Sequence, residues 1–252
     1  LQEERNAKSS HRYDRKSYTV RSKTEALAAG FLRKAYSRAR QGHSEEANEI
    51  IEECKVTSPD YFEVFRTEAF IAYEFGDVSR ASSAYETAIE LDNGQPQLYY
   101  WYSGFLQRAL VDFDGSQEQL KKALELDPER PEVLREFARL KFFQYDFEEA
   151  QIFINRLKGL EFKSLKDETI AADLEAQLYA RQADHSAKQG DYRTSLAAVG
   201  KLFDHLNCTD DVVIDRSFVE HIMKVIPVLD ALRNSKVVIN DQEILLLENK
   251  ID

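Results

Sequence analysis

The sequence predicts an all-α fold: a right-handed superhelical array of antiparallel helix hairpins, an α-solenoid. Three observations carry this. Small residues recur at Ala47, Ala81, Ser116, Ala150 and Ser195, at spacings of 34, 35, 34 and 45. Twelve residues before each stands another small residue, Ala35, Ala69, Gly104, Ala138 and Ala183. Only nine Gly and five Pro occur in 252 residues, and most fall between the periodic apolar stretches. A fixed period in this range marks supersecondary units that cannot bury an apolar face alone and stack to do so. Small side chains are needed where paired helices cross closely, and large ones fill the grooves beside them.

The elements follow in order. Residues 1–42 hold eleven Lys/Arg against four Asp/Glu, while residues 43–252 hold 23 against 41. Residues 1–22 read as a basic linker or the tail of an upstream domain. Residues 23–209 read as the repeat array, opened by a capping box at Ser22-Lys-Thr-Glu25. Gly42, Gly76 and Gly190 fall between paired helices, and Asp77, Asp146 and Asp191 are placed to cap the second helix of their pairs. Phe31, Phe65, Tyr100 and Leu134 fill grooves on the first helices, and Tyr85, Leu120 and Ile154 on the second. Pro59, Pro96, Pro128 and Pro131 punctuate the junctions between pairs. Cys54 occupies a third small slot, matched by Ala88 and Ala123, and reads as a buried thiol. The insertion "SLKDETIAADL" at 164–174 reads as extending a first helix to about 166–189, with a break in the superhelix as the alternative. Residues 210–252 read as C-terminal capping helices and tail, with Pro227 predicting a break.

On the pieces "QGHSEEA", "FGDVSRASSAYETAIELD", "KKALELDPERP", "YDFEEA" and "QGDYRTSLAA", the chain resembles the tetratricopeptide repeat (TPR) family. The resemblance covers about five imperfect repeats over residues 28–209. It departs from the pattern at Val111, where Gly is usual, and at Asn93, where Pro is usual.

The chemistry-bearing motifs are absent. There is no phosphate loop, no G-x-G-x-x-G and no H-E-x-x-H, and Cys54 and Cys208 are too far apart for a metal knuckle. No two of the five His are four residues apart. No catalytic residue, metal or cofactor is expected, and any catalytic domain would lie outside these residues. No stretch approaches the ~18 apolar residues of a membrane span.

A binding surface remains. In the TPR family the first helices line a concave groove. Carried onto this sequence, that lining is Arg66, Phe70, Tyr73, Trp101, Phe105, Arg108, Arg135 and Arg139, with Leu32, Tyr36, Ala39, Phe142, Ala180 and Asp184 at the matching positions elsewhere. Aromatic residues and Arg are the types enriched at binding hot spots. The expected partner is a protein or peptide, with acidic groups favoured by the Arg residues. A homo-oligomer stands as a further expectation. The carboxylate clamp of chaperone-binding TPR proteins uses Lys and Asn on first helices, and no Asn lies there. The resemblance therefore implies a protein-protein interaction scaffold or ligand-sensing region. By analogy with STAND-type NTPases, it would belong to a larger cytoplasmic signalling or defence protein. The alternative is a nucleic-acid-associated regulator using the basic residues 1–22.

Overall fold

In this computed structural model, the structure describes residues 23–160, 165–207 and 226–227. Among them are ten α-helices, one π-helical turn and no strand. The first hairpin is α1 (Lys23–Arg40) with α2 (Ser44–Thr57), and the second is α3 (Phe62–Glu74) with α4 (Val78–Leu91). Next, α5 (Pro96–Phe105) runs into a π-helical turn (Leu106–Leu110), which packs on α6 (Phe113–Leu126). Then come α7 (Pro131–Phe143) with α8 (Phe147–Lys158), and α9 (Leu165–Lys188) with α10 (Tyr192–Asn207). The 24 residues of α9 match the extension expected from the insertion. The capping box at Ser22, residues 1–22 and nearly all of 208–252, including Cys208 and most of the sequence around Pro227, lie outside the described residues.

The ten small slots are the floor of the packing. Ala47, Ala81, Ser116, Ala150 and Ser195 are each 0 % exposed, as are Ala35, Ala69, Ala138 and Ala183. The two hydroxyls in this set are satisfied: Ser195 Oγ donates to the Ala183 carbonyl at 2.8 Å, and Gln107 Nε2 donates to Ser116 Oγ at 2.8 Å. The first bond joins the paired slots of one hairpin, which shows how closely α9 and α10 approach. At Gly104 the first atoms an added Cβ would meet are those of the Arg108 guanidinium, at 2.9 and 3.0 Å. Tyr85, Leu120, Leu134 and Ile154 are buried as expected, whereas Phe31 stays 36 % exposed. Cys54 is buried, and burial pushes its thiol up, with the Glu53 charge adding to the shift.

Every first helix ends in the left-handed region. Gly42, Gly76 and Gly190 take φ of 86°, 82° and 78°. The matching positions in the third and fourth hairpins are Val111 at 54° and Tyr145 at 58°. In four hairpins the next amide reaches back five residues in a Schellman closure: His43 to the Arg38 carbonyl, Asp77 to Ala72, Asp146 to Lys141 and Asp191 to Ser186. In the third hairpin Asp112 bonds to the Leu106 carbonyl at 3.0 Å, one residue wider, and the last turn becomes π. Asp77, Asp112, Asp146 and Asp191 then cap the following helices by accepting from Arg80, Gly115, Glu149 and Thr194 amides. His43 holds the same position with the same backbone conformation but makes no cap bond.

By packing, the described residues divide into two compact units, one before and one after the boundary between residues 98 and 99. In the first, α1 packs on α2, α3 on α4, and α3 on both α1 and α2. A carboxylate, Glu68 of α3, is buried at that junction and is held by Lys55 of α2 and Arg80 of α4, both at 2.7 Å. In the second unit α8 and α10 both pack on α9. There the buried Glu175 of α9 receives Lys158 of α8 at 2.7 Å and faces His205 of α10 at 3.3 Å. Burial alone would raise the Glu175 carboxyl, but the Lys158 bond and charge, the His205 charge and Gln151 together hold it below the ordinary value. Tyr179, buried beside it, is pushed up to about 12 by desolvation and by the Glu175 charge.

Candidate functional site

The expected groove residues fall on first helices of both units, and each unit is treated by itself. In the first unit Phe70 of α3 stacks on Tyr36 of α1, with ring centroids 4.3 Å apart and planes 24° apart. Both rings remain partly open to solvent, Tyr36 at 40 %. Consecutive first helices therefore present a continuous aromatic surface here. Arg66 is half-buried, with Nε and a terminal nitrogen on Glu63 Oε2 at 2.8 and 2.7 Å. An acidic ligand meeting Arg66 would have to compete with that carboxylate. Tyr73 is half-buried at the last turn of α3.

In the second unit Trp101 is half-buried on α5, and Arg108 is exposed on the π turn with its guanidinium folded over Gly104. One residue corrects the sequence reading. Phe105 was expected on the lining, but it is 1 % exposed and its ring lies 6.1 Å from that of Tyr102. A phenyl ring gains more from full desolvation than from a half-wet groove. The matching positions Leu32, Ala39, Phe142 and Ala180 are likewise core residues, at 5 % exposure or less.

Arg135 and Arg139 lie one turn apart on α7. Arg139 is exposed, Arg135 is half-buried, and neither forms an ion pair among the described residues. The Arg135 Nε is shielded from solvent and has no hydrogen-bond partner among the described residues. A buried, unpaired guanidinium N–H costs free energy unless something accepts its proton. In a chain with net charge −11, two adjacent guanidiniums without a carboxylate partner are conspicuous.

A second feature of the same unit was not read from sequence. At the turn ends of α5, α7 and α9 lie two groups of ring contacts, Phe113 with Phe143 and Tyr145 with Phe147 and His185. Phe113 and Phe143 are 6.4 Å apart, Tyr145 and His185 4.1 Å, Phe147 and His185 5.8 Å, and Tyr145 and Phe147 6.3 Å. The Arg181 guanidinium lies 5.1 Å over the Phe143 ring. The signal that could have revealed it is Tyr145, which stands in the frame of Gly42, Gly76 and Gly190.

Among the described residues no group of three or more His, Cys, Asp or Glu is placed to hold a metal, and no helix is long and apolar enough to cross a membrane. The nucleic-acid reading rests on residues 1–22, outside the described residues.

Comparison with known proteins places the fold. No family model and no curated protein sequence matches the chain. Solved structures do. The type IV pilus biogenesis factor PilW superposes with a TM-score of 0.55 at 16 % identity, over 89 % of this chain and 92 % of that one. YrrB, a TPR protein with an unusual peptide-binding site, gives 0.53 at 14 % identity, over 78 % and 92 %. A tetratricopeptide repeat protein from Parabacteroides merdae gives 0.50 at 12 % identity, over 90 % and 100 %. The fold is that of TPR proteins: an all-α array of helix hairpins.

Proposed function

We propose that the chain is a protein-protein interaction scaffold whose second unit holds an acidic peptide segment on the first-helix face carrying Trp101, Arg135 and Arg139. The observation that carries this is the Arg135 and Arg139 pair, one turn apart on α7 and without a carboxylate partner among the described residues, with the Arg135 Nε desolvated and unbonded there. Guanidiniums in this state are pre-organised for a carboxylate, since the desolvation cost falls on the free protein and is relieved on binding. The half-buried Trp101 supplies a rigid aromatic anchor on the same unit. Peptide binding by YrrB, which shares the fold, supports the class of ligand. In the first unit the Tyr36 and Phe70 stack with Arg66, Phe70 and Tyr73 forms a more apolar surface for the same kind of partner. By analogy alone, the scaffold would serve as the docking or sensing region of a larger cytoplasmic signalling or defence protein of the STAND type.

The test compares wild type with Trp101→Ala and Arg135→Glu in affinity capture from source-cell lysate, followed by direct titration of each captured protein. Both variants should keep wild-type helicity and lose affinity. The loss for Arg135→Glu should shrink as salt rises, because the interaction is partly screened. Wild-type affinity in both variants would overturn the reading.

A further inference from the structure

We propose a second, separate docking surface on the same unit: the aromatic ridge at the hairpin turns, taking a short partner segment with an aromatic or large aliphatic anchor beside an Asp or Glu. It lies at the turn ends of the helices, apart from the Arg135 and Trp101 positions, and does not depend on the function proposed for them.

Three observations converge there. First, the ridge is exposed: Phe143 and Tyr145, two residues apart at one turn, are 54 % and 59 % exposed, Phe143 against the Phe113 ring and Tyr145 against those of Phe147 and His185. Large rings left wet this near one another are what interaction sites look like on an otherwise polar surface. Second, the turn under Tyr145 is left-handed: Tyr145 takes φ 58°, as Val111 takes 54° in the preceding hairpin, where three hairpins of the same chain use Gly. The backbone favours Gly at such a position, and Tyr145 offsets that cost by its stack on His185 while its side chain stays largely exposed. The π turn that ends at Leu110 lies beside Val111. Third, the charge on the ridge is unmatched. Arg181 is exposed, its guanidinium rests on the Phe143 face at 5.1 Å, and it forms no ion pair among the described residues. The nearby acid on the same helix face, Asp184, is committed to Lys188 at 2.7 Å.

A partner aromatic ring can lie against Phe143 and Tyr145, and a carboxylate next to it meets the free N–H edge of Arg181. Stacking a guanidinium on a ring leaves its edge donors available, so both contacts form together. Because Tyr145 is already locked on His185, little side-chain freedom is lost on binding.

The experiment selects peptides from a random twelve-residue display library against the whole chain, then titrates the enriched peptides against wild type, Phe143→Ser, Tyr145→Gly, Arg181→Gln and Trp101→Ala. The expected peptides carry an aromatic or large aliphatic residue within a few positions of an acid. They should lose about tenfold or more in affinity to Phe143→Ser and Tyr145→Gly. Arg181→Gln should weaken acidic peptides but not versions with Asn or Gln in place of the acid. Trp101→Ala should leave this binding unchanged, which separates the ridge from the groove. Each variant is checked for wild-type helicity, and Arg181→Gln, a surface change, keeps the proposal falsifiable if a ring variant unfolds. Three outcomes overturn it: no enriched peptide sensitive to the ridge variants, enriched peptides indifferent to Arg181, or a concentration-dependent dimer abolished by Phe143→Ser, which would make a second copy of this chain the occupant.

Discussion

Val111→Gly should stabilise this protein although it deletes a side chain. Val111 adopts φ 54° and ψ 28°, a conformation that places a β-branched Cβ against the neighbouring carbonyl. Such a residue stores about 1–3 kcal/mol. Glycine removes that cost but adds unfolded-state freedom worth about 0.5–1 kcal/mol. The side chain is 67 % exposed, so only a small part of a full burial term of about 1.5–3 kcal/mol is lost. The net is a gain of about 1 kcal/mol. The reverse change, Gly76→Val, should cost about 1 kcal/mol. A Cβ at Gly76 meets nothing within 4 Å, so that cost is backbone strain and not a clash. Tyr145→Gly is the informative middle case. It relieves the same strain but loses the stack on His185, worth about 0.5–1.5 kcal/mol, so it should be near neutral. Urea unfolding is followed by far-ultraviolet circular dichroism and by the fluorescence of Trp101, the one Trp in the chain, which lies in the same hairpin as Val111. A lowered midpoint for Val111→Gly together with a neutral Gly76→Val would refute the strain argument.

Other outcomes follow from the same geometry. Ala81→Leu and Ala150→Leu, both at fully buried crossings, should each lower stability by about 1–3 kcal/mol in urea titration, and a neutral result for both would mean the helices do not cross there. His43→Asp should raise the midpoint by about 1 kcal/mol, because the other second helices are capped by Asp at this position and His43 makes no cap bond. Glu175 has a folded-state carboxyl below the ordinary 4.5, so its contribution is complete above that pH and is lost as pH falls through the lower folded value; Glu175→Gln should be less stable at neutral pH and show a shallower loss in acid titration. Cys54, buried with its thiol pushed up, should react with iodoacetamide only as fast as the first unit opens, which timed mass spectrometry can follow.

The array was legible because it rests on features that single residues announce. Ala35 against Ala47, or Ala69 against Ala81, must be small or the helices cannot close, and that necessity appears as a period in the sequence. The length of α9 was legible for the same reason, since the insertion lacks helix breakers and continues the apolar spacing. The site was less legible. Whether a ring on a first helix faces a neighbour or solvent depends on a rotation of a few tens of degrees about the helix axis, which no spacing rule resolves. Phe70 stays half-open against Tyr36, while Phe105 turns fully inward. The ridge escaped notice for another reason. Phe113, Phe143 and His185 come from three hairpins, and only the superposition of turns brings them together.

The buried carboxylates tie a hairpin to the one that follows it. The small slots close the crossing inside a hairpin, so they do not by themselves specify its neighbour. Lys55 of α2 and Lys158 of α8 each stand eight residues after their small slot, Ala47 and Ala150, and each reaches forward to a carboxylate of the next first helix, Glu68 or Glu175. Both carboxylates are nearly fully buried, at 7 % and 8 % side-chain exposure, and would be strongly unfavourable without those partners. A wrong neighbour, lacking Lys at that place, would leave the carboxylate buried and unpaired. The ion pairs need not add much net stability to do this, because their effect lies in the difference between right and wrong stacking. The same logic marks Arg135 as an exception. Its desolvated Nε has no such partner within the described residues and, unlike Arg130, whose guanidinium faces Asp127 and Glu132, it forms no ion pair there, which leaves it open to an acid supplied from outside.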